Sequence, residues 1–296
     1  MAIFLMLVGF TLQGMVPITL TAVGEIIGQT AGLFNIGLEG ILLVSAFAGA
    51  LGAAAAGPLA GLAIGMGVGA FIGLAFAFVS TYWKGTQMVA GIGINMLAVG
   101  FVEFGMIRFS SNAGAFTIPA EQHLFRFNTP FGLLSPIILV ALILPFVVRW
   151  FIKRTRAGLM LKAAGEAPEA ADVSGINVNA IRMLAATVGG ALAGLGGAYM
   201  SVAWFGFVTK GMSAGRGFIA LATVVFSGLN PILALLGGLL FGFFRSLGLV
   251  VDTVPGFPLP AEFLHMLPYV VTLLVVSGAI GRVRFPKALG VPYKRE

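Results

Sequence analysis

Residues 38–80 read LEGILLVSAFAGALGAAAAGPLAGLAIGMGVGAFIGLAFAFVS, with one acidic residue, no basic residue and one proline. A bilayer core about 30 Å thick is crossed by about 20 apolar residues in a helix, so this stretch is long enough for two crossings. Gly57-Pro58 divides it. Proline lacks a backbone donor and is tolerated in the first turn of a helix, which predicts helices over 38–56 and 58–80 joined by a tight turn. Within the second helix Gly57, Gly61, Gly65, Gly69 and Gly73 recur every four residues. That spacing lines one face with hydrogen atoms and lets a neighbouring backbone come close, which matters in lipid because burial gives little net drive between helices.

The pattern extends in both directions. The 296 residues are 59% hydrophobic and 9% charged, where soluble domains carry about 25% charged residues. Helices are expected at about 3–23, 38–56, 58–80, 87–109, 132–151, 181–205, 215–229, 231–250 and 263–281, within a range of eight to ten spans. Segment 24–37 is expected to be broken, partly membrane-embedded backbone. The fold class is therefore an all-α polytopic membrane bundle, with residues 1–296 as one transmembrane domain. With Lys84 the first basic residue, no basic region of a cleaved signal peptide is expected ahead of the apolar start.

One long polar island interrupts the chain: KRTRAGLMLKAAGEAPEAADVSGINVNAIR, residues 153–182, with five bases and three acids. Placing the 149–182 region, which adds Arg149 to this island, together with Tyr82–Thr86, Asn230 and the tail on one side gathers twelve of the Lys and Arg residues there. The other side keeps Arg108, Arg126, Lys210 and Arg216, and Arg245 falls inside a span. By the positive-inside rule the first side is cytoplasmic, the N-terminus outside and the C-terminus inside. The +7 net charge is then a topology signal, and no nucleic-acid partner is implied; membrane lipid is the expected surroundings.

Ionisable and amide groups inside spans require a reason. Asn35 and Glu39 lie in a glycine-rich stretch, 32–40, of the kind tolerated where backbone is buried in protein or lines a cavity. Gln87, Asn95 and Glu103 follow at intervals of eight residues, near one face of a helix, and read as the wall of a pathway for a polar solute. The plain structural alternative is that these residues hold the bundle together through hydrogen bonds, or that Glu39 caps a helix N-terminus. Glu25 and Arg245 are expected to pair with other buried groups. The second half repeats the arrangement of a short apolar segment, a polar joint and a glycine-rich span (215–242), which is the pattern of transporters with internal repeats. Without cysteine, with two histidines and with no phosphate-binding GxxxxGK[ST] loop, no metal, cofactor or catalytic site is expected. An intramembrane enzyme would have to pair Glu25, Glu39 or Glu103. An ion-coupled secondary transporter would use Glu39 or Glu103 as a proton site and leave the island idle.

Three stretches, GLFNIGLEGILLVSAFAGA (32–50), GEAPEAADVSGINV (165–178) and GRGFIALATVVFSGLNPILALLGGLLFG (215–242), resemble the permease subunit of binding-protein-dependent ABC importers. That group includes ribose-type, branched-chain amino-acid and nucleoside permeases. NIGLEG (35–40) and TQMVAGIGINMLAVG (86–100) are most similar to the nucleoside and simple-sugar branch, with a branched-chain amino-acid permease as the alternative within the group. The resemblance implies a bacterial or archaeal plasma (inner) membrane and a second permease subunit, identical or related. It also implies cytoplasmic ATP-binding subunits that bind and hydrolyse the ATP, and an extracytoplasmic solute-binding protein docking on loops near 110–130 and 251–262.

The same resemblance makes the 153–181 region the place that docks the ATPase, through Gly165, Glu166, Pro168, Ala170, Ala171 and Gly175. Its local chemistry agrees. Gly165 is expected to break the preceding helix and Pro168 to start a short one, with Glu169 and Asp172 near its positive end and Gly175 as a left-handed stop. Ala167, Ala170, Ala171 and Ser174 would form a small face suited to a partner's groove. The plain alternative is a solvated connector.

Overall fold

The computed structural model describes residues 2–110, 114–251, 261–279 and 284–293. Its helices are α1 (Ala2–Thr30), α2 (Leu38–Ala56), α3 (Pro58–Thr81), α4 (Gln87–Phe109), α5 (Ile137–Arg154), α6 (Arg156–Glu166), α7 (Pro168–Val173), α8 (Val178–Ala198), α9 (Arg216–Ser227), α10 (Pro231–Val251) and α11 (Ala261–Ala279). A π-helical turn, Tyr199–Phe205, prolongs α8. Six segments are long and apolar enough to cross a membrane: Ile3–Thr30, Leu38–Ala56, Pro58–Thr81, Gln87–Phe109, Val178–Phe205 and Pro231–Val250. The protein is an all-α polytopic membrane protein.

Every helix expected from the sequence is present, with shifted bounds. The segment 215–229 is not a full crossing: α9 has 12 residues, about 18 Å. The break expected at 24–37 is narrower, because α1 continues to Thr30 and regular structure is absent only over 31–37. α5 begins at Ile137 rather than 132, because β2 (Phe127–Thr129) and β3 (Gly132–Leu134) form a hairpin that ends in front of it. β1 (Ala115–Thr117) pairs antiparallel with β4 (Phe207–Thr209), tying the α4–α5 connection to the segment after α8. The proposed outer loop near 251–262 falls largely on residues 252–260, outside the described residues.

Gly65, Gly69 and Gly73 of the α3 stripe lie against α8, and Gly61 lies against Gly49 and Ala53 of α2. A methyl group at Gly69 would stand 2.6 Å from the Cα of Gly194, and one at Gly65 2.5 Å from the Cβ of Ala198. Backbone therefore meets backbone, and any larger residue would have to push the helices apart. Gly57 does not belong to that contact. It has φ +89° with open space around it, and it ends α2 as the turn into Pro58.

Two basic residues are placed otherwise than expected. Arg182 does not belong to an exposed island: it sits in α8, 1% exposed, and donates from Nε to Ala31 O (3.1 Å) and from Nη1 to Val291 O (3.0 Å). Arg216 is not an outer-loop residue: it opens α9 and is 2% exposed.

Candidate translocation and coupling sites

At membrane depth an unwound backbone has no water to bond, so its amides must find protein acceptors. Residues 33–40 find them in the polar side chains singled out above. Phe34 N donates to Gln87 Oε1 (2.6 Å), Asn35 N to Glu25 Oε1 (3.0 Å) and Gly37 N to Asn35 Oδ1 (2.8 Å). Asn95 binds the strand twice, accepting from Gly40 N (2.8 Å) and donating to Ile36 O (3.0 Å). Gln29 Nε2 holds Glu25 Oε1 from one turn further on (3.0 Å). α4 thus clamps the break through two amides eight residues apart, on the face the spacing indicated.

Glu39 makes the most telling contact. Its Oε1 accepts from Gly215 N and its Oε2 from Gly217 N, both at 2.7 Å. The carboxylate therefore sits on the positive end of α9 while lying in the first turn of its own α2, between two helix N-termini whose partial charges both favour an anion. The fit is close: a methyl group at Gly217 would stand 2.5 Å from the Cα of Glu39. Tyr269 on α11 reaches the same place, its hydroxyl 3.4 Å from where a Cβ on Gly215 would stand. Arg216 donates from Nη1 to Met212 O (2.7 Å) and Ser213 O (3.1 Å). Its guanidinium lies over Trp204 (5.3 Å) and Phe205 (5.9 Å), which stack on each other at 4.3 Å. No spacing rule in the sequence joins Arg216 to those rings; the π-helical turn that delivers them is a tertiary feature.

Asn35, Glu39, Gln87 and Asn95 are thus gathered around one break. Glu103 is not. It is half-exposed further along α4, 3.9 Å from Lys210 Nζ. A cleft of about 560 Å³ opens at that end, with Trp204, Phe205, Phe10 and Phe131 on its walls and Gln13 and Arg126 as its polar groups. Arg126 Nη2 donates to Trp204 O (3.0 Å).

At the opposite end α6 and α7 form the coupling candidate. Pro168 occupies the first turn of α7, and Gly175, at φ +84°, follows it in the left-handed region, as the sequence indicated. Gly165 does not break the helix. It lies inside α6, where its lack of a side chain lets it rest against Thr30 O and Gly32 N at the end of α1; the chain turns at Ala167 instead. Glu166 is exposed, 3.9 Å from Lys287 Nζ. Ala171 faces inward, packed with Ala164, Val178 and Tyr293, whereas Ala170 and Ser174 are exposed.

Val173, at the tip of α7, is 92% exposed and was not among the residues the motif suggested. A β-branched residue next to a glycine stop is the only local signal for it. The tail straps this unit to the bundle: Ala288 N donates to Gly165 O (3.0 Å), Gly290 N to Gly32 O (3.1 Å), and Tyr293 Oη to Asp172 Oδ2 (2.9 Å).

Residues 6–276 match the family described as branched-chain amino acid transport system, permease component. Among curated relatives, the guanosine ABC transporter permease protein NupQ of Bacillus subtilis is 35% identical, over 96% of this chain and 94% of its own. The nucleoside ABC transporter permease protein NupC of Lactococcus lactis is 32% identical, over 94% and 93%. A Haloferax volcanii protein provisionally named glucose ABC transporter permease protein TsgC13 is 32% identical, over 98% of both chains. No solved structure gives a significant match.

Proposed function

The chain belongs to the permease-component family of branched-chain amino acid transport systems, and from that premise we propose that it forms the pathway of an importer for nucleosides. It is a multi-pass membrane transport component. The observation that carries the substrate class is similarity over nearly the whole chain to permeases named for guanosine and nucleosides. The cleft near Glu103 accords with it: Phe10 and Phe131 give its walls aromatic surface for a planar base, and Gln13 and Arg126 are its polar groups. The relative named for glucose keeps a simple sugar as the second reading. A branched-chain amino acid and an ion-coupled mechanism are not favoured by relatives of these names.

In this reading residues 1–296 are one transmembrane domain in a bacterial or archaeal plasma membrane. The end that carries α6, α7 and the tail faces the cytoplasm, and the N-terminus faces outside. The chain has no ATPase site of its own. Cytoplasmic ATP-binding subunits seat α7 through Ala170 and Val173, with Gly165, Glu166, Pro168, Ala171 and Gly175 shaping and anchoring the unit. A second permease subunit completes the pathway, and an extracytoplasmic binding protein loads it. Asn35, Glu39, Gln87 and Asn95 form the hinge region of that pathway and Glu103 its outer rim. Closure of the ATP-binding pair moves α7; because Gly165 rests on the α1–α2 break, the motion reaches the clamp around Asn35 and Glu39 by direct contact.

The test is uptake of labelled guanosine in cells carrying the whole system, with and without this subunit. Loss of uptake on deletion, with competition by unlabelled nucleosides but not by glucose, is expected. Competition by glucose alone would transfer the assignment to sugars.

A further inference from the structure

A cleft of about 910 Å³ lies at the α6–α7 end, beside the coupling unit. Five cations line it: Arg149 and Lys153 from α5, Lys162 from α6, and Arg284 and Lys287 from the tail; Glu166 is the only acid among the described residues of the lining. They come from three parts of the chain, so the tertiary fold has assembled them. The adjacent bases Arg154 and Arg156 belong to the same run of sequence and do not line the cleft.

Among the described residues little neutralises this charge. Arg149 Nη1 donates to Asn230 Oδ1 (2.6 Å), a neutral acceptor that also receives Ile232 N (3.2 Å) and so caps α10. Lys287 stands 3.9 Å from Glu166 with both side chains mostly exposed, a geometry that contributes little. Lys153, Lys162 and Arg284 have no carboxylate partner among the described residues. The N-terminal end of the 21-residue helix α10, at Pro231, adds its partial positive charge to the same wall.

Besides Thr30 and Asn230, the rest of the lining is apolar, with Ile152, Leu229, Phe285 and Pro286. Trp150, 62% exposed on α5 next to the cleft, is the kind of residue that marks the membrane–water boundary. A cationic cleft with an apolar floor at that depth suits an amphiphilic anion.

We propose that this cleft is a binding site for a phosphate group, carried by the headgroup of an anionic phospholipid, with Lys153, Lys162 and Arg284 supplying its counter-charge. A basic bias of the cytoplasmic side alone would attract anionic lipid diffusely, without regard to which base is removed. A built site discriminates between bases.

The experiment uses the full-length protein in detergent, with lipid retention read by native mass spectrometry against phosphatidylglycerol, cardiolipin and phosphatidylcholine. Wild type is expected to retain the anionic lipids in preference. Lys153→Gln/Lys162→Gln is expected to weaken retention about 25-fold, fivefold for each charge removed, whereas Arg154→Gln/Arg156→Gln, which removes the same charge, changes it less than about twofold. The single variant Arg284→Gln, expected to weaken retention about fivefold, guards against misfolding of the double variant, and unfolding temperatures are measured for all. Equal losses in the two double variants, or equal retention of phosphatidylcholine by wild type, would overturn the proposal. Millimolar inorganic phosphate or ATP that stabilises wild type but not the Lys153/Lys162 variant would uphold the phosphate site and assign it to a soluble phosphate compound rather than a lipid.

Discussion

The break at 31–37 and the hairpin of α6 and α7 are two places where this apolar chain turns polar, and they treat their exposed groups in opposite ways. In the break, polar side chains turn inward and are consumed: Gln87, Asn95, Asn35, Glu25 and Glu39 all spend their oxygens on backbone amides. In the hairpin the polar residues turn outward and an apolar one, Val173, is left bare at the tip. The difference follows from the surroundings. Within the membrane an unpaired amide costs several kcal/mol, so the protein must supply the acceptor. Facing water, polar groups are satisfied without help, and the informative feature is apolar surface that solvent does not reward. One region is built to hold its own shape and the other to be covered.

That contrast is open to attack by mutation. The largest effect is expected from Gly217→Ala, where the added methyl meets the backbone of Glu39; neither partner is a flexible side-chain end, which puts the cost at the upper end of the about 1–3 kcal/mol typical of overpacking. Recovery of folded protein after detergent extraction should fall sharply, and wild-type recovery would show that the α2–α9 junction is looser than described. Next, Glu39→Gln keeps the size but exchanges one acceptor oxygen for a donor that faces an amide. We expect a loss of about 2–3 kcal/mol in unfolding measurements, as for a charged acceptor of buried N–H groups.

The hairpin should respond differently. Val173→Asp and Ala170→Trp are expected to leave the unfolding temperature nearly unchanged, since exposed substitutions usually shift stability by less than about 0.5 kcal/mol. They should nonetheless weaken co-purification of the ATP-binding subunits about 30-fold, equivalent to about 2 kcal/mol at a buried contact. Normal capture and normal uptake at matched expression would remove α7 from the interface. The smallest effect belongs to Tyr293→Phe, which deletes the hydroxyl bonded to Asp172 and should cost about 1 kcal/mol, read as a small drop in unfolding temperature.

Much of this was legible before any coordinates. Residues 38–80 announce two crossings because apolar length is a one-dimensional property, and Gly57-Pro58 marks the turn because both residues restrict backbone locally. Pro168 and Gly175 delimit α7 for the same reason. The interval of eight residues puts Gln87 and Asn95 on one face of α4, and the structure turns that face toward the break. Gly165 shows where such reasoning stops. Its glycine reads as a helix breaker, yet the residue stays helical because α1 comes too close for any side chain, a fact held by residues more than a hundred positions away. Arg216 and Arg182 read as charges at the edges of spans and are buried, because long side chains can reach carbonyls and rings that folding brings to them.

By itself, then, the sequence determined what depends on neighbours along the chain: the class of bundle, the helices, the joints and the polar positions. Only the tertiary structure decided what depends on neighbours in space. It set Glu39 across two helix N-termini, shortened α9 to 12 residues, left Val173 uncovered and drew bases from three segments into one cleft. Hydrogen bonds and charges act over a few ångströms, and which groups lie within that range is a property of the packed chain.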